Sequence, residues 1–462
     1  MQGGEVRLGA ERRAVAAAFR KLLPLLVLMN VIAWIDRVNI TFAETELERD
    51  LGLSATVFGL AAGIFFLGYV VLEVPSNLVL HRVGARKWMA RIMISWGIVA
   101  TATAFAWSGG SLIGFRILLG IGEAGFFPGA VYLIACWFPE ADRARAMGVF
   151  LLGLVIAALL GGPVSGGLLE LDGVAGLEGW QWLFLAEGLP AIAVGFYVLR
   201  ALPSSPAEAA WLEPDEREAL ESRLSSELTA REARERFELR DALTDGRVLR
   251  LAAVYFTINM TSYGVIFWLA DLVERIGGLE GIELGLVAAI PFALGASGLV
   301  FIGRRSDRTG ERRRWVVIGM LLGVCGLVGI ALLHPIAAVG ASAVGTFGLL
   351  GAVPAFWGMP SSLLSGRAAA GGIALINAIG VTGGLFGPVI VGALKDATGS
   401  LNPGLLVLAG VLLVGTGLAA RLRIEAPVAA AQRPPQPGTR LSRLEFPSSK
   451  ASQRTSSSSG PL

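Results

Sequence analysis

Twelve apolar blocks separated by short polar turns recur along the chain, at about 22–43, 56–80, 88–107, 111–137, 146–169, 181–201, 248–270, 281–303, 315–334, 338–360, 371–394 and 403–422. Each is close to the roughly 20 residues with which an α-helix crosses a bilayer. A soluble chain of this length would instead form two or three domains with buried and solvated faces alternating. The pattern therefore predicts an all-α integral membrane protein with twelve transmembrane helices. The first block is followed by neither a small-residue cleavage site nor a soluble domain, so it reads as a spanning helix and not as a signal peptide. Composition agrees: 54% of the 462 residues are hydrophobic and 16% charged, against about 25% charged in a typical soluble domain. Most of the 61 glycines fall inside the apolar blocks, where small residues let neighbouring backbones approach closely.

The polar turns carry an asymmetric charge. Arg7, Arg12, Arg13, Arg20 and Lys21, the turn with Arg82, Arg86 and Lys87, and the run GRRSDRTGERRRW at 303–315 all fall on one side of the predicted bundle. The other side carries Arg49, Arg275 and Lys395 beside acids such as Glu44, Glu46, Glu48, Asp172 and Glu178. The positive-inside bias then predicts that both termini are cytoplasmic. These loops account for the net charge of +3, which gives no reason to expect nucleic acid as a partner. Cys136 and Cys325 lie in or at the ends of different apolar blocks, so no disulfide framework is expected.

The chain also contains itself twice. The turn HRVGARKW at 81–88 resembles DRTGERRRW at 307–315, and Gly84 and Gly310 are 226 positions apart. Gly162, Pro163, Gly167 and Leu169 recur 225 positions on as Gly387, Pro388, Gly392 and Leu394, and Pro128 recurs after 226 as Pro354. Glycine and proline are common in membrane helices, but a shared offset across separate segments favours duplication. Two six-helix bundles, 22–201 and 248–422, are predicted as parallel repeats with a central cavity and a binding site near the midplane. Residues 1–21 read as a cytoplasmic tail. Residues 202–247, rich in Glu and Arg, read as a cytoplasmic linker of one or two helices. The Pro- and Ser-rich stretch 423–462 has a composition that cannot bury a core and reads as a disordered cytoplasmic tail.

Sorting ionisable residues by depth leaves Asp36, Arg37, Glu73, Arg116 and Glu123 inside apolar blocks of the first half. A charge at mid-helix costs about 2.5–3.5 kcal/mol on insertion scales and marks a functional site by default. Structural ion pairing between helices is the plain alternative. Arg116 and Glu123 are seven apart, on nearly one helix face but about 10 Å apart along the axis, too far for a local pair. Asp36 and Arg37 point about 100° apart and can serve different neighbours. The expectation is that Asp36 and Glu123 carry protons while Arg37 and Arg116 hold a substrate carboxylate, for which the guanidinium fork is suited. Glu73, nearer the cytoplasmic end of its helix, is expected to pair with a loop arginine or cap a gate. The second half offers neutral groups, Asn259, Tyr263, Trp357 and Asn377, and the first adds Tyr69; each fits either packing or ligand contact. The sequon at Asn39–Thr41 lies within a helix and is set aside.

The twelve-helix plan, with a basic turn in each half, resembles the major facilitator superfamily. IDRVNITFA, EVPSNLVLHRVGARKWMARIMISWG, FRILLGIGEAGFFPGAVYL, GGPVSGGLLELDG and GWQWLFLAEGLPA resemble its anion:cation symporter branch. That branch includes bacterial carriers of tartrate, phthalate, hydroxy-aromatic acids and sugar acids, and vesicular anion carriers of animals. The likeness runs from about 20 to 422, and in the second half rests on PAFWGMPSSLLSG and INAIGVTGGLFGPVIVGAL. It implies proton-coupled uptake of an organic anion by alternating access. It also implies coupling and substrate roles for Asp36, Arg37, Arg116 and Glu123, with Tyr69, Trp357 and Asn377 lining the site. The basic turns, with Arg82, Gly84 and Arg86 in the first and Asp307, Arg308 and Gly310 in the second, would serve as gates. His81 stands where many members of the superfamily carry an aspartate, so the gate contact there is expected to differ.

These readings converge on a secondary transporter of a bacterial inner membrane that imports a small carboxylate with protons as a monomer, without cofactor or metal. An exchanger or effluxer of organic anions on the same fold is the nearer alternative. An intramembrane enzyme or sensor is the remote one, because the chain shows no paired catalytic histidines, no metal-binding His/Cys cluster and no phosphate-cradling GxxxxGK.

Overall fold

The computed structural model describes residues 2–232, 246–276, 279–363 and 367–422. In chain order its helices are α1 (Gln2–Lys21), α2 (Leu23–Val38), α3 (Glu44–Leu51), α4 (Ala55–Val83), α5 (Ala85–Thr103), α6 (Gly109–Glu123), α7 (Phe126–Trp137), α8 (Glu140–Leu169) and α9 (Gly179–Ala201). They continue as α10 (Pro214–Glu232), α11 (Gly246–Ile266), α12 (Leu269–Glu274), α13 (Gly281–Thr309), α14 (Arg312–Leu332), α15 (Pro335–Leu363), α16 (Arg367–Thr398) and α17 (Asn402–Ala420). Ten helical stretches among the described residues are long and apolar enough to cross a membrane. The remaining two crossings are α5, diluted by Arg86, Lys87 and Arg91 at its start, and α11–α12, interrupted at Phe267–Trp268. The α6–α7 crossing is also broken, at Gly125, whose φ of 91° disfavours a side chain. The result is the predicted pair of six-helix halves.

The sequence repeat has a physical counterpart. Across the junction of the halves, α4 packs on α16 and α8 on α13, two contacts related by the repeat. A Cβ on Gly59 would strike the Pro388 carbonyl, and one on Gly162 the Gly285 carbonyl. Gly59 and Gly285 are themselves 226 apart, and Gly162 and Gly387 are 225 apart. The recurring Gly and Gly-Pro positions therefore mark where backbones of opposite halves touch, the role small residues serve between membrane helices.

These contacts cluster at the end of the bundle that carries residues 42–54 and 170–178, called here the loop side. Polar links between the halves reinforce it. Lys395 Nζ, from α16, lies 2.7 Å from Glu44 Oε1, 2.7 Å from Asp271 Oδ2 and 3.7 Å from Glu48 Oε2. Asp396 accepts the backbone N–H groups of Ala55 (2.9 Å) and Thr56 (2.8 Å). Thr45 donates to Glu274 at 3.0 Å, and Ile282 N–H to Glu170 at 3.0 Å. Burial and the adjacent Asp271 push the Glu44 carboxyl well above the ordinary glutamate range, against the pull of Lys395.

On the opposite, tail side, the amino-terminal segment is helical, where the sequence suggested only a tail. Helix α1 docks on the linker helix α10: Arg13 bonds Asp215 at 2.8 Å and Glu216 at 3.0 Å, and Arg7 bonds Ser222 at 2.6 Å. Trp211 stacks on Trp137 of α7 with centroids 5.3 Å apart, and Arg143 of α8 reaches Glu227 at 3.2 Å. The rest of the linker, 233–245, and the stretch 423–462 expected to be disordered lie outside the described residues.

Candidate functional site

The last turn of α2 and the far half of α6 meet inside the amino-terminal half. Asp36 turns into that half, where it accepts hydrogen bonds from the Trp96 indole of α5 and, at 3.2 Å, from the Asn39 amide. Arg37, one residue on, points elsewhere and forms an ion pair with Glu123. Its guanidinium lies 4.9 Å from the Trp34 ring centroid, 5.2 Å from Phe65 and 5.6 Å from Tyr69, a setting in which cation–π attraction holds the cation in a dry place. Tyr263 of the opposite half also interacts with Arg37. Arg116 is completely buried. Its Nε donates to the Ala61 carbonyl at 3.3 Å and its Nη2 to the Arg37 carbonyl at 3.5 Å, while Nη1 finds no acceptor among the described residues.

Local backbone explains Glu123's position. Helix α6 ends there, and α7 restarts after the left-handed Gly125. Ser76 of α4 donates to the Ala124 carbonyl at 2.6 Å, replacing a helical bond lost at the break. As the seven-residue spacing predicted, Arg116 and Glu123 do not pair with each other. Glu123 is taken by Arg37, and Arg116 by backbone carbonyls.

The neutral candidates divide. Tyr69 and Tyr263 join the cluster around Arg37. Asn259 and Trp357 sit in a second group around Tyr255, which stacks on Phe356 (5.0 Å) and meets Trp357 edge-on (5.0 Å); Asn259 Nδ2 bonds the Tyr255 carbonyl at 2.9 Å. Glu73 does not take the loop arginine that was one of its two expected roles: among the described residues its partner is Asn377 of the other half, whose Nδ2 lies 3.3 Å from Oε1. Glu73 therefore spans the junction between halves. The basic turns engage their own surroundings. Arg86 reaches Glu208 of the linker at 3.6 Å, Arg82, Asp307 and Arg308 are exposed, and Gly84 (φ 91°) and Gly310 (φ 69°) close their helices in conformations suited to glycine. His81 lies edge-on to Tyr132, ring centroids 4.4 Å apart.

Sequence reasoning missed Glu187. It is buried in α9 and accepts from Ser165 of α8 at 2.8 Å. The same sorting by depth finds it, because it is the seventh residue of the apolar block at 181–201. Trp96, Asn39, Trp34 and Tyr255 were also overlooked; an indole or an asparagine in an apolar helix gives no sign of which carboxyl or ring it will meet.

The Major Facilitator Superfamily profile matches this chain over residues 26–388 and again over 278–456. A protein of Agrobacterium vitis named as a tartrate transporter is 41% identical over 413 residues, 87% of this chain and 93% of that protein. A protein of Acinetobacter baumannii named a quinolone resistance transporter is 38% identical over 88% of this chain and 95% of its own length. Among solved structures, a bacterial homologue of the human lysosomal transporter Spinster superposes with a TM-score of 0.73 at 18% identity, covering 87% of this chain and 96% of that one. With the paired six-helix halves and charges buried within the first, these matches establish that the chain belongs to the Major Facilitator Superfamily of membrane transporters.

Proposed function

We propose that the protein is a proton-coupled symporter that imports a small organic anion across a bacterial inner membrane by alternating access, with its tail side cytoplasmic. The anion is a carboxylate, of the class of sugar acids, dicarboxylates or aromatic acids. The arginine-rich turns support the orientation, and the relative named for tartrate supports the substrate class. The observation that carries the reading is the Arg37–Glu123 pair. A substrate carboxylate that takes Arg37 displaces Glu123, and a carboxylate stranded in a poorly solvated site takes up a proton. Arg⁺, Glu⁻, anion and proton become an Arg⁺–anion pair and a neutral acid, so the buried charge is the same before and after. Anion and proton therefore enter together. Arg116 and Asp36 supply the second cation and the second acid. Tyr69, Tyr263, Asn377, Trp357 and Asn259 form the neutral lining, and Glu73 with the turns at Arg82–Arg86 and Asp307–Gly310 act in gating. One chain contains the whole pathway, so a monomer suffices.

The test uses full-length protein in proteoliposomes with tartrate as the probe. Glu123→Gln is expected to lose gradient-driven accumulation by at least tenfold while retaining counterflow; accumulation at the wild-type level would refute the assignment. The relative named for quinolone resistance favours a second reading, exchange or efflux of organic anions on the same scaffold. Accumulation driven by an imposed inward proton gradient separates import from that alternative.

A further inference from the structure

Charge does not balance among the buried groups of the amino-terminal half. Setting aside Glu44, which pairs with Lys395 at the loop side, three buried carboxyls, Asp36, Glu123 and Glu187, stand against the buried Arg116 and the partly buried Arg37. Arg37 is paired with Glu123. Asp36 has a donor on each oxygen, the Trp96 indole and the Asn39 amide. Glu187 has neither advantage. Among the described residues its one hydrogen-bond donor is the neutral Ser165 hydroxyl on Oε1, while Oε2 is buried without a partner. Among the described residues no cation bonds it: the end of α2 and the turn after it bring Asp36 and Asn39 into its surroundings, α8 Ser165 and α5 Thr101 beside Gly188, while α3 offers Glu46 and Asp50, which bond Trp180 two turns away, and an Arg49 already taken by Asp50. An ionised carboxylate there would be a buried, uncompensated charge beside a second acid.

We propose that Glu187 is a proton-binding site, holding one proton on its unpartnered Oε2 as the neutral acid and exchanging it with Asp36. The exchange is balanced: Glu187-COOH and Asp36-COO⁻ become Glu187-COO⁻ and Asp36-COOH, with no change in total charge. The proton site stands on charge and hydrogen-bond counts alone. Its use in transport rests on the proposed proton coupling.

The test is infrared spectroscopy of the full-length protein in lipid bilayers at neutral pH, without substrate. A carbonyl band of a protonated carboxyl, shifting in D₂O, is expected in the wild type. It should lose the intensity of one carboxyl in Glu187→Gln and persist in Asp36→Asn. An undiminished band in Glu187→Gln overturns the site, whatever Asp36→Asn does. Should Glu187→Gln fail to fold, Ser165→Ala decides: removing the donor to Oε1 must shift the band's frequency, and an unshifted band assigns it elsewhere. With tartrate as probe, Glu187→Gln is further expected to lose at least tenfold of gradient-driven accumulation; normal accumulation would overturn the exchange with Asp36. A wild type that shows the Glu187 band but no proton-driven uptake breaks the coupling reading and leaves the site standing.

Discussion

The two halves share a scaffold but not an interior. Shifting the first half's charged positions by 226 places Asp36 on Ser262, Arg37 on Tyr263, Arg116 on Ser342 and Glu123 on Leu349. Where the amino-terminal half holds a network of ions, the carboxyl-terminal half has a small, largely apolar cavity lined by Ser262, Gly323, Ser342 and Leu349. Of the shifted set, Tyr263 alone engages the ions, and the group it engages is its own counterpart, Arg37. Duplication thus preserved the positions where backbones touch and let the chemistry diverge. The buried ions of the bundle interior lie in one half, and the facing groups of the other are neutral.

The sharpest way to break this contrast is to remove matched residues. Arg116→Ala removes a completely buried cation from an interior that holds Asp36 and Glu123, and loss of one member of a buried ion set typically costs about 3–5 kcal/mol. Ser342→Ala at the matching position should change stability by less than about 0.5 kcal/mol. Thermal unfolding in detergent reads both, and comparable losses would refute the division. Arg116→Ala should also abolish tartrate uptake.

The next largest effect tests the shared scaffold. Gly162→Leu drives a side chain into the Gly285 backbone, and overpacking of this kind costs about 1–3 kcal/mol. The closed loop side should lose population, so that a cysteine placed at Thr56 is alkylated faster than in the parent. The repeat-related Gly59→Leu should act alike, since Gly59 meets the Pro388 backbone.

Acid should tighten the same closure. Glu44 is buried by it, beside Asp271, Glu48 and Lys395, and its carboxyl is held well above the ordinary range. The closed form therefore holds a proton that an exposed Glu44 would release. Closure is strongest at low pH and weakens as pH rises from the ordinary glutamate range to Glu44's raised value. Glu44→Gln should flatten that dependence in hydrogen exchange at Ala55 and Thr56.

The smallest effect belongs to the neutral lining. Trp357→Phe keeps an aromatic beside Tyr255 and should alter the preference between tartrate and an aromatic acid by less than tenfold, leaving the proton dependence of uptake unchanged.

Much of this was legible in the sequence. The apolar blocks gave twelve crossings, because lipid forces every spanning backbone into helix. The offset repeat exposed the duplication, and depth sorting found four members of the ion cluster. Partnerships were not legible. Periodicity showed that Arg116 and Glu123 share a face without pairing, but that Arg37 would take Glu123, or Asn377 would take Glu73, depends on how separate helices are set against each other. The amino-terminal helix was missed because its apolar residues make sense only once α10 lies beside it.

Helix α1 and the linker helix together form a girdle, and its bonds through Arg13, Trp211 and Glu227 all end within the amino-terminal half or on one another. Such a collar braces the amino-terminal half on its tail side. An affinity reagent raised against the collar would grip a surface built from α1 and the linker.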